Sequence, residues 1–295
     1  MTGFVILNYN SWKLTSELVR KLEDYDNIDI IIVVDNMSTD TSYENLINLK
    51  SNKTEVVQTN KNGGYSYGNN VGAKICKDKG VDKIFICNPD VLISHKDLEK
   101  IICEFDKNKQ YSVLSGVEYN NKNEISQPPI WKLNTYWDDV LDCSFFVRKF
   151  RRNYNYMPVN DKVTIQDVDI VKGSFFGIRA DVFFDIGGLD EEVFLFCEER
   201  ILSKKLQKKG YKLGVVTSAK YNHNHSESIN KVYKKKTVQM KMLYKSRYYY
   251  NVKYNKIGRF KKIILKVAMS VSLLEFMLRD TITKGDSICN KKREE

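Results

Sequence analysis

Polar residues suited to ligand binding stand where apolar runs stop. Val5-Ile6-Leu7 gives way to Asn8-Tyr9-Asn10, Ile30-Ile31-Ile32-Val33-Val34 to Asp35-Asn36, and Ile84-Phe85-Ile86-Cys87 to Asn88-Pro89-Asp90. Each run reads as a buried parallel strand, so Tyr9, Asp35 and Asp90 fall along one edge of an α/β sheet, the place where such sheets bind ligands. That is an enzyme's layout. A stretch rich in glycine and asparagine follows, from Asn62-Gly63-Gly64 to Gly68-Asn69-Asn70-Val71-Gly72. Its spacing is neither that of a dinucleotide fold nor that of a Walker loop. Its glycines still let backbone approach a ligand closely, while Asn69 and Asn70 can donate from the first turn of a helix.

The elements that must position these groups alternate strand and helix. Strand 4–7 leads to a helix of about 11–24 with Ser11 as its cap and Leu14, Leu18, Val19 and Leu22 in its buried stripe. Strand 30–34 leads to a helix carrying Leu46 and Leu49, strand 55–58 to one ending near 78, and strand 83–87 to one over about 95–107 capped by Ser94. A strand at 112–119 follows. From 120 to 165 the pattern turns irregular and carries Pro128-Pro129, Trp131, Tyr136, Trp137 and basic residues at 148–152, which reads as a binding loop or as a disordered excursion. Strands are expected again at 168–171 and 211–217, with a helix between them that ends near Gly210.

Composition bounds the answer. A chain of 295 residues that is 42% hydrophobic with 4 prolines is a folded globule, long enough for one large α/β domain and an appendage. Its net charge of +11 is local, because no Asp or Glu occurs from Ile229 through Leu274 while lysines and arginines crowd that segment. Such a surface meets lipid headgroups or nucleic acid. The 6 cysteines form no CxxC pair, which argues against zinc clusters and a disulfide framework and for reduced thiols in the cytosol. The first residues run straight into a strand, so no secretory signal is expected, and no apolar run reaches the roughly 18 residues that span a bilayer.

Taken in order, Asn8-Tyr9-Asn10, Asp35 through Asp40, Asn62-Gly63-Gly64 with Gly68 through Gly72, Asn88-Pro89-Asp90, Gly187-Gly188-Leu189-Asp190-Glu191, Glu198-Glu199 and His223 through Ser228 resemble the landmarks of inverting family 2 glycosyltransferases. The likeness covers roughly residues 2–250 and is greatest to the rhamnosyltransferase-like members that build bacterial surface polysaccharides such as capsule and O-antigen. It implies a GT-A fold: one Rossmann-like nucleotide-sugar-binding domain of mixed sheet over 1–228, with a nucleotide half at 1–119 and an acceptor half at 120–228. A basic amphipathic helical extension over 229–295 completes the expected organisation.

The resemblance also implies roles. Tyr9, Asn10 and Asp35 hold the nucleotide, and the chemistry agrees, since an aromatic stacks on a base and a carboxylate accepts from an imide N–H. The competing reading is that Asp35 only caps turns. Asn62, Gly64, Asn69, Asn70 and Asn88 lie on the donor. Asp90 takes the place of the metal-binding acid and would hold Mg²⁺ or Mn²⁺ against the donor diphosphate, although Asn88 stands where an aspartate is common. His223 or His225 adds a metal or diphosphate contact. Glu199 is the expected general base, with Glu198 as the alternative. Asp190 and Glu191, and more loosely Trp131 and Trp137, fall on the acceptor side.

These roles imply a hexosyltransferase that takes sugar from a dTDP- or UDP-linked donor and adds it, with inversion, to a growing glycan or a polyprenyl-diphosphate-linked acceptor. The C-terminal helices read as lying on an anionic membrane, on the cytosolic face, or as packing against the catalytic domain or a second subunit. A basic nucleic-acid-binding module is the rival class, and it leaves Asp35, Asp90 and Glu199 unexplained. A catalytically inactive scaffold is the other rival, raised by Asn88 and by Ile201 at a position where a further acid is common.

Overall fold

The computed structural model describes residues 1–120, 122–126, 130–151, 154–223 and 235–291, with side chains as far as 278. Strands β1 (Thr2–Asn8), β2 (Ile30–Asp35), β3 (Thr54–Gln58) and β4 (Lys83–Cys87) run parallel in the spatial order β3-β2-β1-β4. The sheet continues through β10 (Phe175–Arg179), β6 (Tyr111–Tyr119), β11 (Lys212–His223) and β5 (Val91–Ile93), with β9 (Ile165–Asp167) paired to β11. Strand β10 is antiparallel to both its neighbours, which makes the sheet mixed.

The continuous apolar runs are explained by burial on both faces. Phe4 and Ile6 of β1 and Ile31 and Val33 of β2 pack with α1 (Trp12–Glu23), Leu46 of α2 (Ser42–Leu46) and α4 (His95–Lys107). Val5, Ile32 and Val34, which alternate with them, pack with α3 (Gly64–Asp78), α7 (Ala180–Asp185) and α8 (Glu198–Lys209). A strand buried on both sides loses the polar alternation of a half-exposed one.

The helix starts bear on two sequence expectations. Ser94 caps α4, its hydroxyl accepting from Asp97 N, whereas Ser11 sits at the N-cap of α1 but its hydroxyl donates back to Tyr9 O. The strand expected at 168–171 is displaced to β9. Val168, Ile170 and Val171 are buried, but apart from Val168 N, which donates to Leu213 O at 3.1 Å, they stand outside the strand ladder, so their apolar character misleads. Strand β11 runs past 217 to His223, through a register irregularity between Val216 and Lys220, and there it meets β5, which the sequence does not announce.

The chain divides into two compact units, Met1–Leu133 with Asn155–Val232, and Asn134–Tyr154 with Tyr233–Glu295. The first holds the large sheet and the two-stranded pair of β7 (Ile130–Trp131) and β8 (Tyr156–Met157). The second holds α5 (Tyr136–Leu141), α6 (Phe145–Phe150), α9 (Lys236–Lys253) and α10 (Arg259–Lys291). Part of the irregular stretch is therefore helical: Thr135 and Asp138 form a reciprocal capping box that starts α5. Tyr136, Cys143, Tyr244, Ile257, Leu265 and Met269 make this unit's core, and the buried Asp139 accepts from Asn251 Nδ2 at 2.6 Å. Among the described residues no helix is long and apolar enough to cross a membrane.

Candidate active site

The register of the first three strands sets Asn8, Asp35 and Gln58 side by side at their ends. The Asp35 carboxylate is fully buried and accepts from Asn8 Nδ2 at 2.8 Å, Ser38 N at 3.1 Å, Ser38 Oγ at 2.5 Å and Gln58 Nε2 at 2.9 Å. Since a carboxylate offers about four lone-pair sites, these donors fill it, and Asp35 organises the strand ends. Asn10, at φ +53°, ties the neighbouring loop to it: its backbone N–H donates to Ser38 Oγ and its Oδ1 accepts from Thr39 N. Beside these, Tyr9 is half-buried and Gln58 exposed.

The glycine and asparagine stretch is locked to a distant turn. Gly64 has φ +85°, and a Cβ there would lie 2.2 Å from the carbonyl oxygen of Phe194, which also accepts from Tyr65 N. Asn62 Oδ1 accepts from Gly64 N and from Asn36 Nδ2. Asn69 is buried and donates to Tyr65 O. Asn70 donates to Leu189 O and to Glu191 Oε1 and accepts from Leu189 N, so it joins α3 to the turn carrying Asp190, whose Oδ1 accepts from Glu192 N. Gly64→Ala is expected to destabilise the chain by about 2 kcal/mol or more, since a left-handed alanine is strained and its methyl meets backbone that cannot rotate away. A melting temperature equal to wild type would contradict this.

The meeting of β5 and β11 opposes His223 to Val91 and brings His223 Nε2 to 3.2 Å from Asp90 Oδ1. That oxygen is buried and accepts no well-aligned hydrogen bond. His223 Nδ1 lies 3.5 Å from Oε2 of Glu118, a buried acid of β6. Glu118 also accepts from Lys172 Nζ at 3.0 Å and from Ser174 Oγ and Tyr221 OH, each at 3.1 Å. Burial works against a charged imidazole, but the two carboxylates outweigh it and push the His223 pKa up to about 9. Burial draws the Lys172 ammonium down, against the pull of Glu118. Asn88 is half-buried, and its N–H donates to Ser174 O. His225 lies outside the described residues.

Glu198 and Glu199 form the first turn of α8, entered through Phe196 at φ +70° and Cys197 at φ +66°. Two successive side-chain-bearing residues in the left-handed region are costly and mark a strained approach to the pair. Burial, and then the neighbouring Glu199 carboxylate, hold the Glu198 carboxyl well above the usual range. Burial also raises Glu199, offset by its own and Gly173's backbone N–H groups and by Arg200. The Glu199 side chain packs on Gly173, where a Cβ would lie 3.1 Å from its Cγ. Tyr65 donates to Gly173 O at 2.5 Å, and its hydroxyl pKa is raised well above 10.0 by burial and by both glutamates.

One tripeptide thus links both centres: Lys172 reaches Glu118, Gly173 carries Glu199 and Tyr65, and Ser174 holds Asn88 and Glu118. Tyr65, Glu118 and Lys172 are absent from the sequence-derived set. Only Tyr65, inside the glycine stretch, carried a signal there. Trp131 is half-buried with the Lys172 ammonium 5.9 Å from its ring centre, while Trp137 is 52% exposed and belongs to the second unit.

The family model described as glycosyl transferase family 2 matches residues 4–187, which is more than half of the chain. The chain belongs to that family. Among curated family relatives, rhamnosyltransferase WbbL of Escherichia coli (strain K12) is 23% identical over 56% of this chain, and dTDP-rhamnosyl transferase RfbF of Shigella flexneri is 22% identical over 65%. These alignments cover 63% and 58% of the relatives' own length. Of solved structures, the mannosyltransferase PcManGT from Pyrobaculum calidifontis, in complex with GDP-Man and Mn²⁺, matches 97% of this chain and 79% of its own with a TM-score of 0.58 at 12% identity. GalNAc-T7 with UDP, GalNAc and Mn²⁺ matches 77% of this chain and 44% of its own at 0.59 and 14%. At such identities the likeness is one of fold, and it agrees with the mixed α/β GT-A architecture expected of this family 2 chain.

Proposed function

We propose that this chain is a glycosyltransferase that moves a sugar from a nucleoside-diphosphate donor to an acceptor hydroxyl with inversion, in the building of a surface glycan. The observation that carries the reading is the meeting of Asp90 with His223, at the sheet edge that family 2 members use for a donor diphosphate. The donor set suits a hard divalent ion. Asp90 offers a buried oxygen without a well-aligned hydrogen bond, His223 an imidazole nitrogen once metal binding displaces the proton that Asp90 and Glu118 favour, and Asn88 an amide oxygen. Among the described residues no group of three His, Cys, Asp or Glu at ligand spacing occurs, so donor phosphate oxygens would have to complete the shell. Bound Mg²⁺ or Mn²⁺ would supply Lewis-acid stabilisation of the departing diphosphate.

The chain's own residues supply the rest. Glu199 takes the proton of the acceptor hydroxyl while that oxygen forms its bond to the anomeric carbon. The bond from that carbon to the donor phosphate oxygen breaks, its electron pair leaves with the nucleoside diphosphate, and a single displacement inverts the centre. Glu198, raised well above the usual range by burial and by the Glu199 carboxylate, is the weaker acid of the pair and leaves the charge of the base to its neighbour. The end of β1, with Tyr9 and Asn10, faces the nucleoside, and Asp35 braces that loop. Asp190 and Glu191, on the turn that Asn70 fixes, stand on the acceptor side. The relatives' names favour a dTDP-rhamnose donor, with a UDP-sugar as the alternative, and a glycan or polyprenyl-diphosphate-linked acceptor.

Calorimetric titration with dTDP, UDP and GDP, each with and without Mn²⁺, tests the reading. Metal-dependent binding of one nucleotide is expected, and Asp90→Ala should weaken it about 10-fold or more. Binding of none would move weight to the inactive-scaffold reading, and an unchanged Mn²⁺ titration in Asp90→Ala would remove that acid from the metal.

A further inference from the structure

The second unit carries most of the large apolar side chains that the described residues leave exposed. On α10, Leu265 and Met269 are buried in that unit's core, while Phe260, Ile263, Val267, Val271 and Leu274 form a separate stripe, each at least half exposed. At 100° per residue these five positions cluster on the side of the helix opposite Leu265 and Met269. A helix apolar on two opposite faces uses one for its own core and keeps the other for something outside. On α6, Phe146 and Phe150 are 65% and 87% exposed beside Arg148 and Lys149.

Charge decides what the occupant is. The whole of the chain's positive excess lies in this unit, and no acid occurs from Ile229 through Leu274. Arg259, Lys261, Lys262 and Lys266 flank the start of the stripe. A second copy laid along the stripe would bring like charges together at its edges, the pattern that disfavours helix pairing. An anionic bilayer surface satisfies both features at once: the apolar stripe enters the acyl boundary, and the lysines and arginines meet the headgroups. Exposed aromatics such as Phe146, Phe150 and Phe260 suit the same boundary. We infer that the exposed face of α10 lies in the plane of an anionic membrane and holds the chain on it. This inference does not depend on the transferase reading.

The test is co-sedimentation of the full chain with vesicles of phosphatidylcholine alone or mixed with an equal part of phosphatidylglycerol. Wild type is expected to sediment with the mixed vesicles, poorly with the neutral ones, and to be released from the mixed ones as salt rises. V267E/V271E should lose about 10-fold or more of that binding with its helical circular dichroism unchanged. Leu274→Glu, a single change at an exposed position, gives the same reading should the double variant fold poorly. Equal sedimentation by the glutamate variants, or no preference for anionic vesicles, would overturn the inference. So would light scattering that finds a wild-type dimer broken into monomers by V267E/V271E, because a second copy would then cover the stripe.

Discussion

Glu199→Gln is expected to bind donor nucleotide as wild type does while losing at least about 10²-fold in sugar transfer. The substitution keeps the shape of the side chain that packs on Gly173 and removes only its ability to take a proton. Glu198→Gln should be far milder, because burial and the neighbouring Glu199 carboxylate raise that carboxyl well above the ordinary range, so that it holds its proton more tightly than Glu199 does. The pH dependence follows from the direction of the shifts. Glu199 must be ionised to act, and burial raises it above its ordinary 4.5, so transfer should climb with pH along an acid limb lying above that value. The two side chains titrate as a pair, and the limb belongs to both. If Glu198→Gln abolished transfer and Glu199→Gln did not, the base would be Glu198.

Glu118→Gln should cost about 3–5 kcal/mol of folding stability, the scale for removing one partner of a buried ion pair. The side chains of Glu118 and Lys172 are 1% and 13% exposed, so the lysine left behind would be a poorly solvated cation without a carboxylate. E118Q/K172M should recover most of the loss, since an uncharged pair leaves no buried charge unbalanced. A double variant no more stable than Glu118→Gln would show that the network matters through its hydrogen bonds instead. His223 provides a second readout. Its folded pKa, about 9, exceeds its ordinary 6.5, so the stability it contributes is fully present below 6.5 and is lost as pH rises through 9. In Glu118→Gln one of the two carboxylates facing the ring is gone, and the titration of His223, followed by NMR, should move back toward 6.5.

Local patterns carried much of the sequence reading. The apolar runs of β1, β2 and β4 are legible because burial on both faces leaves them without polar alternation, and the Asp and Asn clusters at their ends are legible by contrast. Ser94 was readable as a cap because a cap is a contact between neighbours in sequence. The apolar residues of 168–171 looked like a strand because burial and ladder pairing leave the same trace. Asp35, Asn69 and Asn70 were legible as polar groups at a ligand-binding edge. Their hydrogen bonds into the protein were not, because those partners depend on strand register and on loops brought in from elsewhere.

The sequence by itself determined the mixed α/β class, the likeness to family 2, the strand-end acids and the basic character of the C-terminal helices. These properties reside in residue types and short spacings. Tertiary structure alone decided that β11 continues to His223 and meets a three-residue β5, that Glu118 and Lys172 lie behind that histidine, and that 134–154 packs with the C-terminal helices. Each joins residues far apart in the chain, and such pairings are selected by the packing of the whole core, which no local pattern encodes.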